Sequence, residues 1–187
     1  DNTRQRAMEH VTDRFQDLLN IDNETLEDAK EMEAVYEDVR ADPLYKKLLA
    51  MANVHTADAF GIDVPEDADE RMARALHSDA WEKIEQQDWF KSAQVMAGKE
   101  HFFHWELEFP VAFYDEDGER TEDEGFDAVL GNPPYGMIED SSLGNYCESI
   151  YKVAEARHEI YKFFSEKGYQ LTVSSGYFGY IISNTLF

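Results

Sequence analysis

The sequence predicts an α/β protein in which a helical segment precedes part of a parallel β-sheet. The first hundred residues carry apolar side chains at helical spacing, with acidic residues on the other faces. Composition then shifts toward β-structure, with short apolar runs at residues 128–130 and 177–183. A helical stretch separates the runs, and strand, helix and strand in succession are typical of a parallel sheet. We expect a helical insertion or subdomain at residues 1–100 and a sheet-containing core at residues 101–187.

The helical half contains signals for where helices begin and end. Asp42 is a typical N-cap residue, and Pro43 is suited to the first turn of the helix that follows. Gly61 marks the end of that helix. We predict four helices here, at residues 24–40, 43–60, 65–77 and about 78–98.

Beyond residue 100, we predict an extended segment at residues 102–109 that continues briefly at 111–114. Residues 115–125 form an acidic turn, and their Asp-x-Asp-Gly core lacks the later ligands of a calcium loop. We expect a solvated hairpin turn there. A helix at residues 147–167 and a buried strand at residues 177–183 complete the predicted elements.

The most informative stretch is residues 126–136, a short apolar run that stops at Asn-Pro-Pro-Tyr. Residues 128–130 have the length and apolarity of a strand buried on both faces. Pro133 and Pro134 remove two backbone donors and enforce a rigid turn. The carboxyl ends of such strands are where open α/β sheets bind ligands. Asn and Pro also favour ordinary surface turns, but the preceding strand favours a functional site.

This turn can hold an amino group. The side-chain oxygen of Asn132 and the backbone carbonyl of Pro133 are two adjacent acceptors. They can orient the lone pair of a poorly nucleophilic exocyclic amine toward an incoming methyl group. Tyr135 offers a flat face for a base, and stacking of about 1–3 kcal/mol offsets much of the cost of flipping a nucleotide. No metal and no nucleophilic side chain are needed.

With this motif the chain resembles adenine-specific DNA methyltransferases of restriction-modification and phage-defence systems. Further segments resemble that family in the same order along the chain: residues 42–60, residues 89–90 with 101–110, residues 159–164 and residues 176–185.

The resemblance implies a Rossmann-like methyltransferase core, present here in part as catalytic strand, helix and strand. It implies S-adenosylmethionine as cofactor and double-stranded DNA with a flipped adenine as substrate. Asn132, Pro133 and Tyr135 would be catalytic, and Pro134 would join them in binding the base. Asn rather than Ser before Pro-Pro favours adenine over cytosine within the family.

The family's glycine-rich cofactor motif is missing, because none of the ten glycines forms Gly-x-Gly. The chain also starts at Asp1 and ends just after a predicted strand, so we expect an internal piece of a longer protein that is inactive alone. The cofactor motif would lie outside this piece. The nuclease pattern of Pro-Asp followed by Glu-x-Lys is absent too, so a restriction or specificity domain or subunit would be separate.

Charge indicates where the protein works. Forty acidic residues and seventeen basic ones give a formal net charge of −23, which opposes approach to DNA. In molar salt the Debye length falls to about 3 Å and the repulsion is screened. The pattern resembles cytosolic proteins of salt-loving archaea. A hydrophobic content of 43% is too high for a disordered acidic tail.

Cysteine content and hydropathy favour a soluble, cytoplasmic protein. Cys147 is the single cysteine, so no intrachain disulfide can form. No apolar run reaches the length of a membrane span, and the amino terminus lacks the regions of a signal peptide.

Two other functions remain open from the sequence. A protein-glutamine methyltransferase can share Asn-Pro-Pro-Tyr because an amide also presents an amino group, although such enzymes carry the glycine-rich turn close by. A non-catalytic scaffold or DNA-contact segment of a defence complex fits the missing cofactor motif.

His101 and His104 have a spacing that suits no helical zinc motif, and their aromatic neighbours favour packing.

Overall fold

A computed structural model describes residues 2–155 and 159–182. The chain forms two compact units, which divide after Thr121. We call the part through Thr121 the helical unit and the part from Glu122 the sheet unit. The α/β class is confirmed. The domain boundary after residue 100 stays a prediction, and residues 101–121 lie in the helical unit.

The helical unit consists of α-helices and one 3₁₀ turn. The helices are α1 (Asn2–Leu19), α2 (Leu26–Ala41), α3 (Pro43–Ala59), α4 (Ala68–Ala75), α5 (Trp81–Glu85), α6 (Asp88–Glu100) and α7 (Trp105–Glu108), and the 3₁₀ turn is Pro110–Ala112. Within the described ranges, no helix combines the length and apolarity needed to cross a membrane.

Local chemistry sets the helix ends. Thr25 and Asp28 form a reciprocal capping box at the start of α2. The carboxylate of Asp42 accepts hydrogen bonds from the backbone N–H groups of Leu44 and Tyr45, at 2.7 and 3.1 Å, and so caps α3. Gly61, with φ of +91°, follows α3. The predicted α2 and α3 are confirmed.

The next two helices differ from prediction. The helix expected at residues 65–77 is shorter, because α4 spans only Ala68–Ala75. The helix expected at about residues 78–98 is two helices, α5 and α6. Gln87 is extended, with φ of −69° and ψ of 139°, and this interrupts the helical path between them.

The core of this unit lies where α1, α2, α3 and α6 pack together. Val39, Tyr45 and Leu76 are fully buried. Trp81 packs edge-on against Phe90, with ring centroids 5.9 Å apart. Each large apolar side chain contributes about 1.5–3 kcal/mol by leaving water.

The predicted extended segment at residues 102–109 is wrong. The backbone N–H groups of Leu107 and Glu108 both donate to the carbonyl of His104 at 3.0 Å, which closes the helical turn α7. Pro110 then opens the 3₁₀ turn, so the predicted extended continuation at residues 111–114 is wrong as well. The reason is long-range: Glu108 turns inward to meet Tyr36 and Arg40 of α2. Alternation of aromatic residues could not reveal these partners.

The acidic hairpin turn is confirmed. Tyr114 and Arg120 form an isolated antiparallel bridge across it. The carboxylate of Asp115 accepts hydrogen bonds from the backbone N–H groups of Asp117 and Glu119, at 3.0 and 2.9 Å. Gly118, with φ of +69°, rests on the backbone of α1 and leaves no room for a side chain.

The sheet unit contains β1 (Phe126–Gly131), α8 (Ser141–Ile150), a 3₁₀ turn (Lys152–Glu155), α9 (Ile160–Gln170) and β2 (Thr172–Tyr180). The two strands are parallel, with Gly131 opposite Tyr180. A register irregularity separates Phe126 from Ala128. The predicted order of strand, helix and strand is confirmed.

Three details of this unit differ from prediction. The helix expected at residues 147–167 is interrupted, because Tyr151 is extended and ends α8. The second strand begins at Thr172 instead of residue 177 and ends at Tyr180; residues 183–185 lie outside the described chain. Burial on both faces is wrong for β1, since Leu130 is 76% exposed. The sheet has two strands in the described ranges.

Candidate active site

The Asn-Pro-Pro-Tyr motif begins immediately after β1. The strand ends at Gly131, whose carbonyl accepts a hydrogen bond of 3.0 Å from the backbone N–H of Ile181. Pro133 is buried, whereas Asn132 and Pro134 are exposed. The turn is thus anchored through Pro133 and presents Asn132 to solvent.

The two proposed acceptors are neighbours on this turn. In the described part of the chain, no hydrogen bond engages the side chain of Asn132. Its amide oxygen and the carbonyl of Pro133 belong to consecutive residues, and neither proline supplies a donor that would compete for them. The arrangement offers neutral acceptors to a ligand at the carboxyl end of β1.

Tyr135 is tethered at its hydroxyl end while its ring stays accessible. Its hydroxyl donates a hydrogen bond of 3.2 Å to the backbone carbonyl of Ile181. The residue is 54% exposed. A ring held at one edge and open to solvent can accept a flat ligand with little further loss of side-chain entropy.

The chain leaves the motif through a tight turn. Gly136 has φ of +118°, which disfavours every residue with a Cβ atom. Its carbonyl accepts a hydrogen bond of 3.0 Å from the backbone N–H of Ile160, the first residue of α9. Met137 and Glu159 form an isolated antiparallel bridge beside it. The start of α9 therefore fixes the exit of the motif, as the end of β2 fixes its entry.

Helix α8 follows the motif and is capped by Asp140, whose carboxylate accepts a hydrogen bond of 2.8 Å from the N–H of Leu143. Burial raises the pKa of Tyr146 and of Cys147 on this helix. Burial also raises the pKa of Tyr151 to about 12. These groups are uncharged at neutral pH, so they provide packing and no acid or base near pH 7.

Sequence reasoning missed two residues that support the motif, Gly168 of α9 and Tyr180 of β2. The rings of Phe178 and Tyr180 fill the space beside Gly168, and the ring of Tyr180 also fills the space beside Gly131. A glycine inside a helix is the one sequence signal that points to such close packing. The pairing of Tyr180 with Gly131 depends on the strand register, which the sequence does not reveal.

The histidines considered as metal ligands, His101 and His104, belong to the helical unit. The Nε2 atom of His104 is 2.8 Å from the side-chain oxygen of Asn53. Burial lowers the pKa of His104, and its ring packs edge-on against Phe102. The predicted packing role of His104 is confirmed.

One known protein family matches most of the chain. The family model of the Eco57I restriction-modification methylase matches residues 44–187, a range that includes the whole Asn-Pro-Pro-Tyr turn. No curated protein and no solved structure matches the chain. The match covers most of the chain, so the expected restriction-modification methyltransferase is confirmed. The chain belongs to the Eco57I restriction-modification methylase family.

Proposed function

We propose that this restriction-modification methyltransferase methylates the exocyclic amino group of a flipped adenine in double-stranded DNA. The observation that carries the proposal is the turn after β1. It combines two adjacent acceptors, on Asn132 and Pro133, with the accessible ring of Tyr135.

The acceptors act on the geometry of the amine. An adenine amino group is planar and a poor nucleophile, because its lone pair is delocalised into the ring. The amide oxygen of Asn132 and the carbonyl of Pro133 each accept one of its two hydrogens. This favours a more tetrahedral nitrogen whose lone pair points away from the base. Because both carbonyl oxygens carry partial negative charge, they also stabilise the positive charge that develops on nitrogen.

Tyr135 holds the base while the amine reacts. Its ring stacks on the flipped adenine, which contributes about 1–3 kcal/mol. Pro134 lies between the acceptors and the ring and restricts the backbone, so that the two contacts keep a fixed spacing.

The methyl group would come from S-adenosylmethionine, which supplies an electrophilic methyl when bound. The chain has no Gly-x-Gly turn to hold this cofactor. We assign no cofactor-binding residue here and expect that motif outside residues 1–187. A restriction or specificity domain or subunit stays a proposal as well.

The large negative net charge supports the proposal that the enzyme acts on DNA in concentrated salt. At a net charge of −23, the chain would repel DNA in dilute buffer. Molar salt reduces the Debye length to about 3 Å and removes most of this repulsion. We propose that the protein acts in the salt-rich, reducing cytoplasm of a halophilic archaeon, where Cys147 would remain a thiol.

Analysis of the methylated product tests the proposal. The full-length protein that carries these residues would be incubated with DNA and methyl-labelled S-adenosylmethionine in molar salt, and the DNA then digested to nucleosides. We expect label in N6-methyladenine. Label in N4-methylcytosine would overturn adenine specificity but not amino-group methylation. Label on protein, or none, would overturn the proposal.

A further inference from the structure

We infer that Tyr180 is a positioning residue whose ring holds the end of β1, and with it the acceptors of Asn132 and Pro133, in the reactive arrangement. The inference rests on the proposed function and extends it to a residue outside the Asn-Pro-Pro-Tyr motif.

The first observation is the register of the two strands. Tyr180 lies opposite Gly131, the residue that precedes Asn132. The next residue, Ile181, contacts both flanks of the motif: its N–H donates to the carbonyl of Gly131 at 3.0 Å, and its carbonyl accepts from Tyr135 at 3.2 Å. The end of β2 thus supports the turn at Gly131 and at Tyr135.

The second observation is that the ring of Tyr180 occupies the space beside Gly131. A Cβ atom on Gly131 would lie 3.0 Å from Cε1 and 3.4 Å from Cδ1 of this ring. The ring therefore contacts the backbone one residue before Asn132. A shift of the ring would be transmitted directly to the turn, because packed interiors do not deform freely.

The third observation is that helix α9 leaves room for this ring. A Cβ atom on Gly168 would lie 2.7 Å from the hydroxyl oxygen of Tyr180 and 2.5 Å from Cε2 of Phe178. The Phe178 and Tyr180 rings are also in contact, with centroids 4.5 Å apart. Glycine is disfavoured in the interior of a helix. The space that the Phe178 and Tyr180 rings need explains why Gly168 is found in α9. The ring is confined between Gly131, Gly168 and Phe178.

This confinement matters for methyl transfer more than for binding. Stacking on the flat face of Tyr135 tolerates a small displacement of the turn, because it needs no exact hydrogen-bond alignment. Alignment of the amine depends on the exact position of Asn132, and a displacement of about 1 Å in a reacting geometry can cost about 100-fold in rate. Loss of the Tyr180 ring should lower kcat while leaving KM for DNA nearly unchanged.

Kinetics of the full-length protein test the inference. We expect Tyr180→Phe to keep kcat within about twofold and Tyr180→Ala to lower it about 10- to 100-fold, with KM for DNA unchanged within about threefold. Gly131→Ala adds a methyl group against the ring and should also lower kcat. In the double variant Gly131→Ala/Tyr180→Ala the methyl group has room, so the combined loss should be smaller than the product of the two separate losses.

Gly179→Ala is the matched control. Its added Cβ would lie at the same 3.0 Å distance from a neighbour, but that neighbour is Cδ2 of the exposed Leu130 side chain, which can move aside. We expect this variant to keep the kcat of the wild-type enzyme. Gly131→Ala and Gly179→Ala carry only one added methyl group each, so they test the inference even if Tyr180→Ala does not fold.

The outcomes separate this inference from the proposed function. Equal losses of kcat in Gly131→Ala and Gly179→Ala, or a folded Tyr180→Ala enzyme with unchanged kcat, would overturn the role of Tyr180 alone. A wild-type enzyme that methylates no adenine would overturn the proposed function, and this inference with it.

Discussion

The hydroxyl of Tyr135 donates a hydrogen bond to the backbone carbonyl of Ile181, although the two residues lie 46 positions apart in the chain. This contact joins the motif that follows β1 to the residue that follows β2. It restrains one edge of an aromatic ring that is otherwise 54% exposed. The ring is therefore oriented before any ligand arrives, which reduces the entropy lost on binding.

Substitution of Tyr135 separates the ring from its hydroxyl. We expect Tyr135→Phe to lower kcat/KM only a few-fold, because an exposed hydrogen bond contributes roughly 0.5–1 kcal/mol. Tyr135→Ala should lower it about 5- to 150-fold, which corresponds to the 1–3 kcal/mol of lost stacking. Steady-state methylation of DNA measures both values. Equal losses in the two variants would assign the function to the hydroxyl and not to the ring.

Salt dependence tests the role of the acidic surface. We expect methylation by the full-length protein to be faster in about 2 M than in 0.1 M salt, because screening removes repulsion from DNA. A variant with Glu31→Gln, Glu33→Gln and Glu37→Gln on the exposed face of α2 should reach its maximum rate at lower salt. A wild-type rate that is highest in 0.1 M salt would contradict the proposed halophilic setting.

Glu108 is the acceptor at the centre of a polar network in the helical unit. Its carboxylate accepts hydrogen bonds from Tyr36 at 2.7 Å, Arg40 at 2.9 Å and Tyr45 at 3.1 Å. Glu108→Ala would leave a partly buried guanidinium and a fully buried hydroxyl without this acceptor, so we expect a loss of about 2–3 kcal/mol.

Hydrogen exchange of the amides of α2 and α7 measures this loss as a lower local opening free energy. Glu108→Gln keeps one acceptor oxygen and should lose less than Glu108→Ala. Exchange rates unchanged by Glu108→Ala would show that the network does not stabilise the helices it joins.

Acid should weaken the cap of α3. Burial alone would raise the pKa of Asp42, but hydrogen bonds from His10 and from the N–H groups of Tyr45 and Leu44 outweigh it, so the pKa of Asp42 is lowered. A lowered pKa means that the stabilisation is complete above the unfolded value of about 3.9 and is lost as pH falls through the folded value. The window of loss therefore lies below about pH 4.

Amide exchange of Asp42 variants, compared with wild type at the same pH, tests the contribution of this cap. At pH 6 we expect Asp42→Ala to speed amide exchange at the start of α3 by the equivalent of about 1 kcal/mol. Asp42→Asn, which keeps an acceptor but cannot ionise, should differ from wild type at pH 6 and approach it near pH 2. Asp63→Asn, an exposed substitution, serves as the control. A constant difference between Asp42→Asn and wild type at both pH values would contradict the assignment.

Local chemistry made some elements predictable. Asp42 and Pro43 specify the start of α3 by themselves, since the cap needs only its own N–H partners two and three residues later. The two prolines after Asn132 likewise end β1 without help from the rest of the chain. Both features depend only on residues that are close together in the sequence, so they can be predicted from the sequence alone.

Contacts between distant residues explain what was not predictable. The helical turn α7 depends on Glu108 meeting α2, about seventy positions earlier in the chain. The role of Tyr180 depends on a parallel register with an irregularity inside it, which shifts which residue lies beside Gly131. Hydrophobic patterns give the existence of such strands but not their pairing.

Single-turnover methyl transfer by the full-length protein and its Asn132→Ala variant, with DNA and cofactor affinities measured alongside, tests the role of Asn132 most directly. Asn145→Ala, an exposed substitution on α8, is the matched control. We expect Asn132→Ala to lower the rate at least about 100-fold, as loss of a group that stabilises developing charge does elsewhere. Both affinities and the Asn145→Ala rate should stay close to wild type. Near-normal turnover by Asn132→Ala would contradict the proposed hydrogen bond from the adenine amino group to Asn132.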